Sequence, residues 1–380
     1  MMRLSKLIKL TIMKLNKFLQ NCFKKVFQFI FKLFYGEIKL KLDLNNLNNL
    51  EKKIIPNLQT DLPEKKNYYT YKIKNGRIYT DYNENVAIIS ENMLLGQISY
   101  QQVSGNLLDA SYNVVLKKGT PRKKKNYKGK MLSVVQGASG NNYSHWILEI
   151  LPKLKMYSEN YRLDDLDYFY VPSINSFQSE TLNFLGISKD KLIDSKKFRH
   201  VQAEELFIVD HPYYYEGTIL EQNKNLPKWI IPWLRNVFLN CEKKFNANKK
   251  VFIDRTDSSY NHNQIINNEE VFDYLNKKGF TYYKLKDLTF FEKVYLFKNA
   301  ECILGVHGAG FANLVFCKSK TNVLEIRPYS YSNEIYKKIS EINCLNYHLL
   351  ETQSVEKKRD SDGDINLSID EVDSILKKFI

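Results

Sequence analysis

The stretch Cys302–Phe316, CILGVHGAGFANLVF, decides the fold. A short apolar run ends in Gly305. Gly305, Gly308 and Gly310 then crowd around His307, and a second apolar run follows at once. The first run reads as a buried strand and the second as the start of a helix, with a tight glycine turn between them. Working outward, the same alternation continues on both sides. Upstream lie VFID (251–254) as a strand, EEVFDYLNKKG as a helix closed by Gly279, FTYYKL as a strand and TFFEKVYLFKNA as a helix. Downstream lie NVLEI (322–326), SNEIYKKISEI and NYHLL, again strand, helix, strand. Such alternation means a parallel sheet covered by helices. The closing segment, NLSIDEVDSILKKFI, reads as an amphipathic helix with Ser368 or Asn366 as its cap.

The first half is less regular. YTYKI, NVAIIS, MLSVV (131–135), DYFYV and ELFIV read as strands, and YSHWILEILPKLKMY (143–157) and FQSETLNFLG as helices. LPKWIIPWLRNVFLNCEKKF (226–245) reads as a longer helical pattern broken by Pro232. Residues 42–66 are Asn-rich with Pro56 and Pro63 and lack a sustained period, so they read as a linker. The expected division is a helix over 1–40, a linker over 41–67, one Rossmann-like unit over 68–225, an interdomain helix or linker over 226–248, a second Rossmann-like unit over 249–352, and a loop and helix over 353–380.

Charge and cysteines limit the function classes. The 380 residues carry a formal net charge of +15. Residues 1–35 hold eight Lys and Arg and no acid, spaced between Leu, Ile and Phe at helical intervals. No apolar run reaches the ~20 residues of a spanning helix, so the pattern suits the surface of an anionic membrane. A second basic run, KKGTPRKKKNYKGK, covers 117–130 and reads as a loop. It has one interleaved aromatic and no recognisable nucleic-acid module, so nucleic acid is not expected as a partner. The five cysteines lack paired spacing, which argues against a disulfide framework and a zinc site and points to a reducing compartment. The expected location is cytoplasmic, attached peripherally to the membrane.

Open parallel sheets bind ligands beyond the carboxyl ends of their strands. The loop at Gly305–Gly310 lies at such an end, and the helix start after it suits a phosphate. It is neither the G-x-G-x-x-G dinucleotide fingerprint nor a P-loop. His307 and Asn313 can add side-chain hydrogen bonds. Arg255, just after VFID, can clamp a phosphate; Glu325, near the end of the next strand, can accept ribose hydroxyls. His145 and Glu149 are spaced i, i+4 on one helix face, and either can act as general base on a hydroxyl.

Taken together, NNYSHWILEILPKL, the later DR, NNEEVFDYLNKKGF, GVHGAGFANLVF and VLEIRP resemble glycosyltransferase family 61 over roughly residues 130–350. That family includes protein O-linked N-acetylglucosaminyltransferases, plant xylosyl- and arabinosyltransferases, and bacterial proteins of capsular polysaccharide synthesis. The resemblance implies an α/β GT-B-like architecture, two Rossmann-like domains facing across a cleft, here behind a basic amphipathic N-terminal helix. It implies an inverting transfer of a sugar from a nucleotide sugar, UDP-linked in the expected case, to a hydroxyl of a surface glycan or lipid-linked acceptor. No metal and no cofactor beyond the donor are expected. Gly305, His307, Gly308, Ala309, Gly310 and Asn313 match the family's motif at the donor phosphates, Arg255 its arginine after the first strand, and Glu325 its carboxylate near the nucleoside. His145 and Glu149 match the cleft-facing helix. One departure stands out: family members often carry a second basic residue before the next helix, and in TDSSYNHNQIINNEE only His262 qualifies. That departure motivates an alternative, a non-catalytic protein of the same fold that binds glycan or an assembly partner.

Overall fold

The computed structural model describes residues 2–379 except 46, 62–64, 138, 215–216, 242, 245, 256–262, 330 and 360–361. His262 therefore lies outside the described residues. The second half forms the expected parallel sheet of five strands. Its spatial order is Thr281–Lys284, Lys250–Asp254, Cys302–Val306, Asn322–Pro328, Asn346–Thr352. All four pairings are parallel. Counted along the chain this is the doubly wound order 2-1-3-4-5, whose direction of winding reverses between Lys250–Asp254 and Cys302–Val306. A crevice opens at such a reversal, and Arg255 and Gly305–Gly310 are the residues that leave those two strands.

The first half is a mixed sheet of ten strands. Its central strand His200–Val209 runs parallel to Lys125–Ser133, which runs parallel to Tyr168–Val171 and on to Leu192–Asp194. On its other side His200–Val209 pairs antiparallel with Asn67–Lys74 and Arg77–Thr80. The Rossmann-like unit expected over 68–225 thus holds a parallel core with an antiparallel wing. The expected linker holds the strand Leu50–Gln59, paired antiparallel with Asn67–Lys74. Only Ile55 and Leu58 of its residues are buried, too few to produce a period-2 pattern. The basic run 117–130 is half strand, because Lys125–Ser133 extends the buried segment MLS backward. The end of the chain also differs: Ser354–Arg359 and Asp362–Ile365 pair as a hairpin before the helix Ile369–Leu376, which Ser368 caps as expected.

The two sheets share one apolar cluster. It takes in Trp146, Leu151 and Phe207 from the first half, Phe238 from the connecting helix Ile230–Phe238, and Phe290, Phe311 and Leu314 from the second. Arg235 of that helix donates to the carbonyls of Val315 (3.0 Å) and Cys317 (2.5 Å). The N-terminal helix spans Met2–Tyr35, and no helix among the described residues is long and apolar enough to cross a membrane.

Candidate active site

The helix that begins at Tyr143 is built around an irregularity. Asn142 caps it, its side chain accepting from the N–H groups of Ser144 (3.0 Å) and His145 (3.3 Å). The coil then widens to π geometry over Trp146–Ile150 and returns to α over Leu151–Ser158. Pro152 supplies the cause: it has no N–H to donate, and its ring crowds the carbonyl four residues back, at Leu148. A wide turn absorbs the misfit, and such turns gather at functional sites. Trp146 fixes the orientation, its indole N–H donating to Thr181 Oγ1 at 3.0 Å. The loop entering the helix is braced by Glu84, whose carboxylate accepts the Gly140 N–H at 2.6 Å; burial pushes this carboxyl up to about 7.

Glu149, on the wide turn, is buried and surrounded by donors. His145 Nδ1 lies 2.5 Å from its Oε1, which also accepts from the hydroxyls of Tyr214 (2.7 Å) and Tyr213 (3.1 Å). Its Oε2 accepts from the Gln136 side-chain amide and faces His211 Nε2 at 3.4 Å. His211 Nδ1 accepts the backbone N–H groups of Tyr213 and Tyr214, which places the ring hydrogen on Nε2, toward Glu149. Burial raises the Glu149 carboxyl, but the His145 charge and the hydrogen bonds from both histidines outweigh it and hold the group well below the usual range. For His145 burial acts downward and the neighbouring carboxylate upward; the carboxylate wins, and the imidazole sits above its ordinary value. Burial drives His211 down to about 4 despite Glu149, and Lys153, one turn on, down to about 7. The two candidates therefore differ in access: the Glu149 side chain is 3% exposed and fully engaged, whereas that of His145 is 16% exposed with Nδ1 alone committed to Glu149.

The glycine loop gives a second cluster. Gly308 makes room for an arginine: a Cβ there would fall 2.6 Å from Arg255 Nη1. Gly305 and Gly310 likewise admit Ile253 and Leu285. None of the three has a left-handed φ, so closeness of neighbours, rather than turn geometry, is what a side chain would meet here. His307 Nδ1 contacts Glu325 Oε1, and Tyr347 donates to the other carboxylate oxygen at 2.7 Å. Glu325 is fully buried with both oxygens engaged, so its expected contact with ribose is replaced by a contact that orients His307. The His307 ring meets Tyr331 and Tyr336 at 4.6 and 4.8 Å. A pocket at the carboxyl ends of the two central strands is lined by Asp254, Arg255, Asn268, Phe272 and Val306. Among the described residues no cluster of three His, Cys, Asp or Glu is placed to hold a metal ion.

The clusters meet. Tyr143 donates to Asn313 Oδ1 at 2.6 Å, and Asn313 Nδ2 donates to the Gly310 carbonyl at 2.9 Å. Asn313 is fully buried at this seam, so it ties the loop to the first helix instead of presenting its amide to a ligand. Tyr336 lies against Ser144 and in the field of Arg255. Ala309 opens the 3-10 turn Ala309–Phe316, in which the Phe311 N–H donates to the Gly308 carbonyl at 2.9 Å. His145, Glu149, Arg255, His307 and the glycines are thus brought to one region. Tyr143 lies within NNYSHWILEILPKL without a role assigned from sequence, and Gln136, His211, Tyr213, Tyr214, Tyr336 and Tyr347 have no signal at motif spacing. The run DHPYYY at the carboxyl end of ELFIV is the one place where a His and three tyrosines beyond a strand end hinted at a site.

No curated protein matches the chain. Residues 143–324 match the family model described as Glycosyltransferase 61, from the first residue of the helix that bears His145 to the strand that bears Glu325. Over residues 143–324, a little under half of the chain, the sequence is thus similar to glycosyltransferase family 61.

Proposed function

We propose that the protein transfers a sugar from a nucleotide sugar to a hydroxyl with inversion at the anomeric carbon, His145 acting as the base. The observation that carries this reading is the accessible imidazole of His145 held by the buried Glu149 carboxylate, on a helix joined to the glycine loop through Tyr143 and Asn313. The acceptor hydroxyl gives its proton to His145 Nε2 as its oxygen attacks the anomeric carbon. The bond from that carbon to the diphosphate oxygen breaks, and its electron pair leaves with the nucleoside diphosphate. Glu149 fixes the tautomer and stabilises the imidazolium as it forms. Arg255, His307 and the first N–H groups of Ala309–Phe316 face the developing phosphate charge. The donor side is the five-stranded sheet and the acceptor side the mixed sheet, in the manner of a GT-B enzyme. A UDP-linked sugar and a surface glycan or lipid-linked acceptor fit this reading.

A thermal-shift panel of UDP, GDP, CDP and dTDP on the full chain tests the donor side. A nucleotide at 100-fold its dissociation constant adds about 2.7 kcal/mol to stability. A shift with one diphosphate, lost in Arg255→Ala, is the expected result. No shift with any of them would leave the glycine loop as a packing turn and favour a non-catalytic role.

A further inference from the structure

The basic run at 117–130 takes no part in sugar transfer, yet the structure brings it to the root of the N-terminal helix. The Lys124 N–H donates to the Tyr35 hydroxyl at 3.0 Å, and Arg77 donates to the Tyr35 carbonyl at 3.4 Å. The Tyr35 ring stands edge-on to His200 at 4.9 Å, and His200 Nδ1 donates to the Arg122 carbonyl at 2.9 Å. Gly119, with a left-handed φ of 64°, abuts Lys32: a Cβ there would fall 3.2 Å from its Cγ. The end of the helix is thus fixed to this run.

Beyond that root the described side chains of the helix are bare. Every residue from 13 to 27 is exposed. At about 100° per residue, Leu15, Phe18, Leu19, Val26, Ile30 and Leu33 gather on one face and Lys14, Lys17, Lys24 and Lys25 on the other. Leu33 and Phe34 remain more than 70% exposed beside the root. Lys117, Lys118, Arg122, Lys123, Lys125 and Lys128 are exposed too, and 117–130 contains no acid.

We propose that the helix and the run 117–128 form one composite face that docks on an anionic lipid surface. The helix inserts its apolar side among the acyl chains, and the run at its root holds lipid headgroups by charge. The apolar stripe demands a nonaqueous partner, and the positive charge around it, which Glu37 offsets at Lys32 (3.0 Å), selects a negatively charged one. This proposal rests on exposure and charge, independently of the sugar-transfer reading.

The test is flotation of the full chain with phosphatidylcholine vesicles, with and without phosphatidylserine. The expected result is binding that requires phosphatidylserine. Lys117→Gln, Lys118→Gln and Lys123→Gln together lower partitioning about 100-fold, each cation contributing about a fivefold factor. Phe18→Asp with Phe29→Asp, both exposed on the apolar face, abolishes it. Equal binding of the triple-Gln variant would overturn the composite face, since the helix alone would then be the anchor. Equal binding to neutral vesicles would overturn the charge argument. Dimers in sedimentation that dissociate in the Phe variants, with no vesicle binding, would assign the apolar stripe to a second copy. The nucleotide-induced thermal shift is unchanged in all these variants, so failure here is distinguishable from failure of the sugar-transfer reading.

Discussion

Replacing Glu149 by glutamine isolates the charge of the carboxylate while keeping its shape. The amide retains one carbonyl oxygen for His145, Tyr213 and Tyr214 and turns an NH2 group toward Gln136 and His211. Two buried donors then lose their acceptor, at about 1–3 kcal/mol each. A total near 4 kcal/mol agrees with the roughly 3–5 kcal/mol typical of removing one partner from a buried ionic network. An unfolding entropy of about 2.1 cal/mol/K per residue makes about 0.8 kcal/mol/K for 380 residues, so the melting temperature falls by about 5 °C. The loss depends on pH. The depressed carboxyl contributes fully above its ordinary range and loses its contribution as pH falls. The raised imidazole contributes fully below its ordinary value, near 6.5, and loses its contribution as pH rises through the folded value. The difference between wild type and variant is therefore largest between about pH 4.5 and 6.5. Turnover gives a second readout. With the carboxylate gone, burial alone acts on His145, so the acid limb of kcat/KM moves to lower pH. Melting curves from pH 4 to 8 and a pH–rate profile make the comparison. A variant that melts within about 2 °C of wild type across that range, with an unmoved acid limb, refutes the network as described.

Further outcomes follow from single contacts. Tyr143→Phe removes the hydrogen bond to Asn313, costs about 1 kcal/mol in urea unfolding, and raises KM for the donor more than it lowers kcat. Gly308→Ala puts a methyl into the Arg255 guanidinium and weakens nucleotide binding by tenfold or more, roughly the 1.5–3 kcal/mol of a charged hydrogen bond, with melting in the absence of ligand changed little; calorimetric titration reads both variants. Glu84 has a carboxyl raised above its unfolded value, so it lowers stability progressively as pH climbs from about 4.5 to about 7. Glu84→Gln flattens that decline and melts higher than wild type at pH 8 but not at pH 4.5.

How far the sequence carried the reading depends on the range of the forces involved. The parallel sheet was legible because each of its strands is flanked by a helix with its own period, a local signal. Ser368 caps its helix where the sequence places it, since a cap bonds only three residues ahead. The strand Leu50–Gln59 escaped because an edge strand with two buried residues looks like a polar loop. The helix face of His145 and Glu149 was legible from spacing, but the roles of the pair were not. What separates them is burial by Gln136, His211, Tyr213 and Tyr214, residues up to 65 positions apart in the chain. Glu325 and Asn313 misled for the same reason. Each lies in the motif, and each is consumed by a distant tyrosine, Tyr347 and Tyr143 respectively.

The wide turn at Trp146–Ile150 has a consequence for how this helix can vary. A helix is a rotating register, advancing about 100° with each residue, so an extra residue lodged in one turn resets the phase of everything after it. Tyr143, Ser144 and His145 keep one phase, and Leu151–Ser158 keep another. The downstream segment can therefore be re-tuned to fit the sheet beneath it without swinging the imidazole off its target. Deleting one residue between Trp146 and Ile150 would fuse the two phases, and aiming and packing would then compete for a single setting.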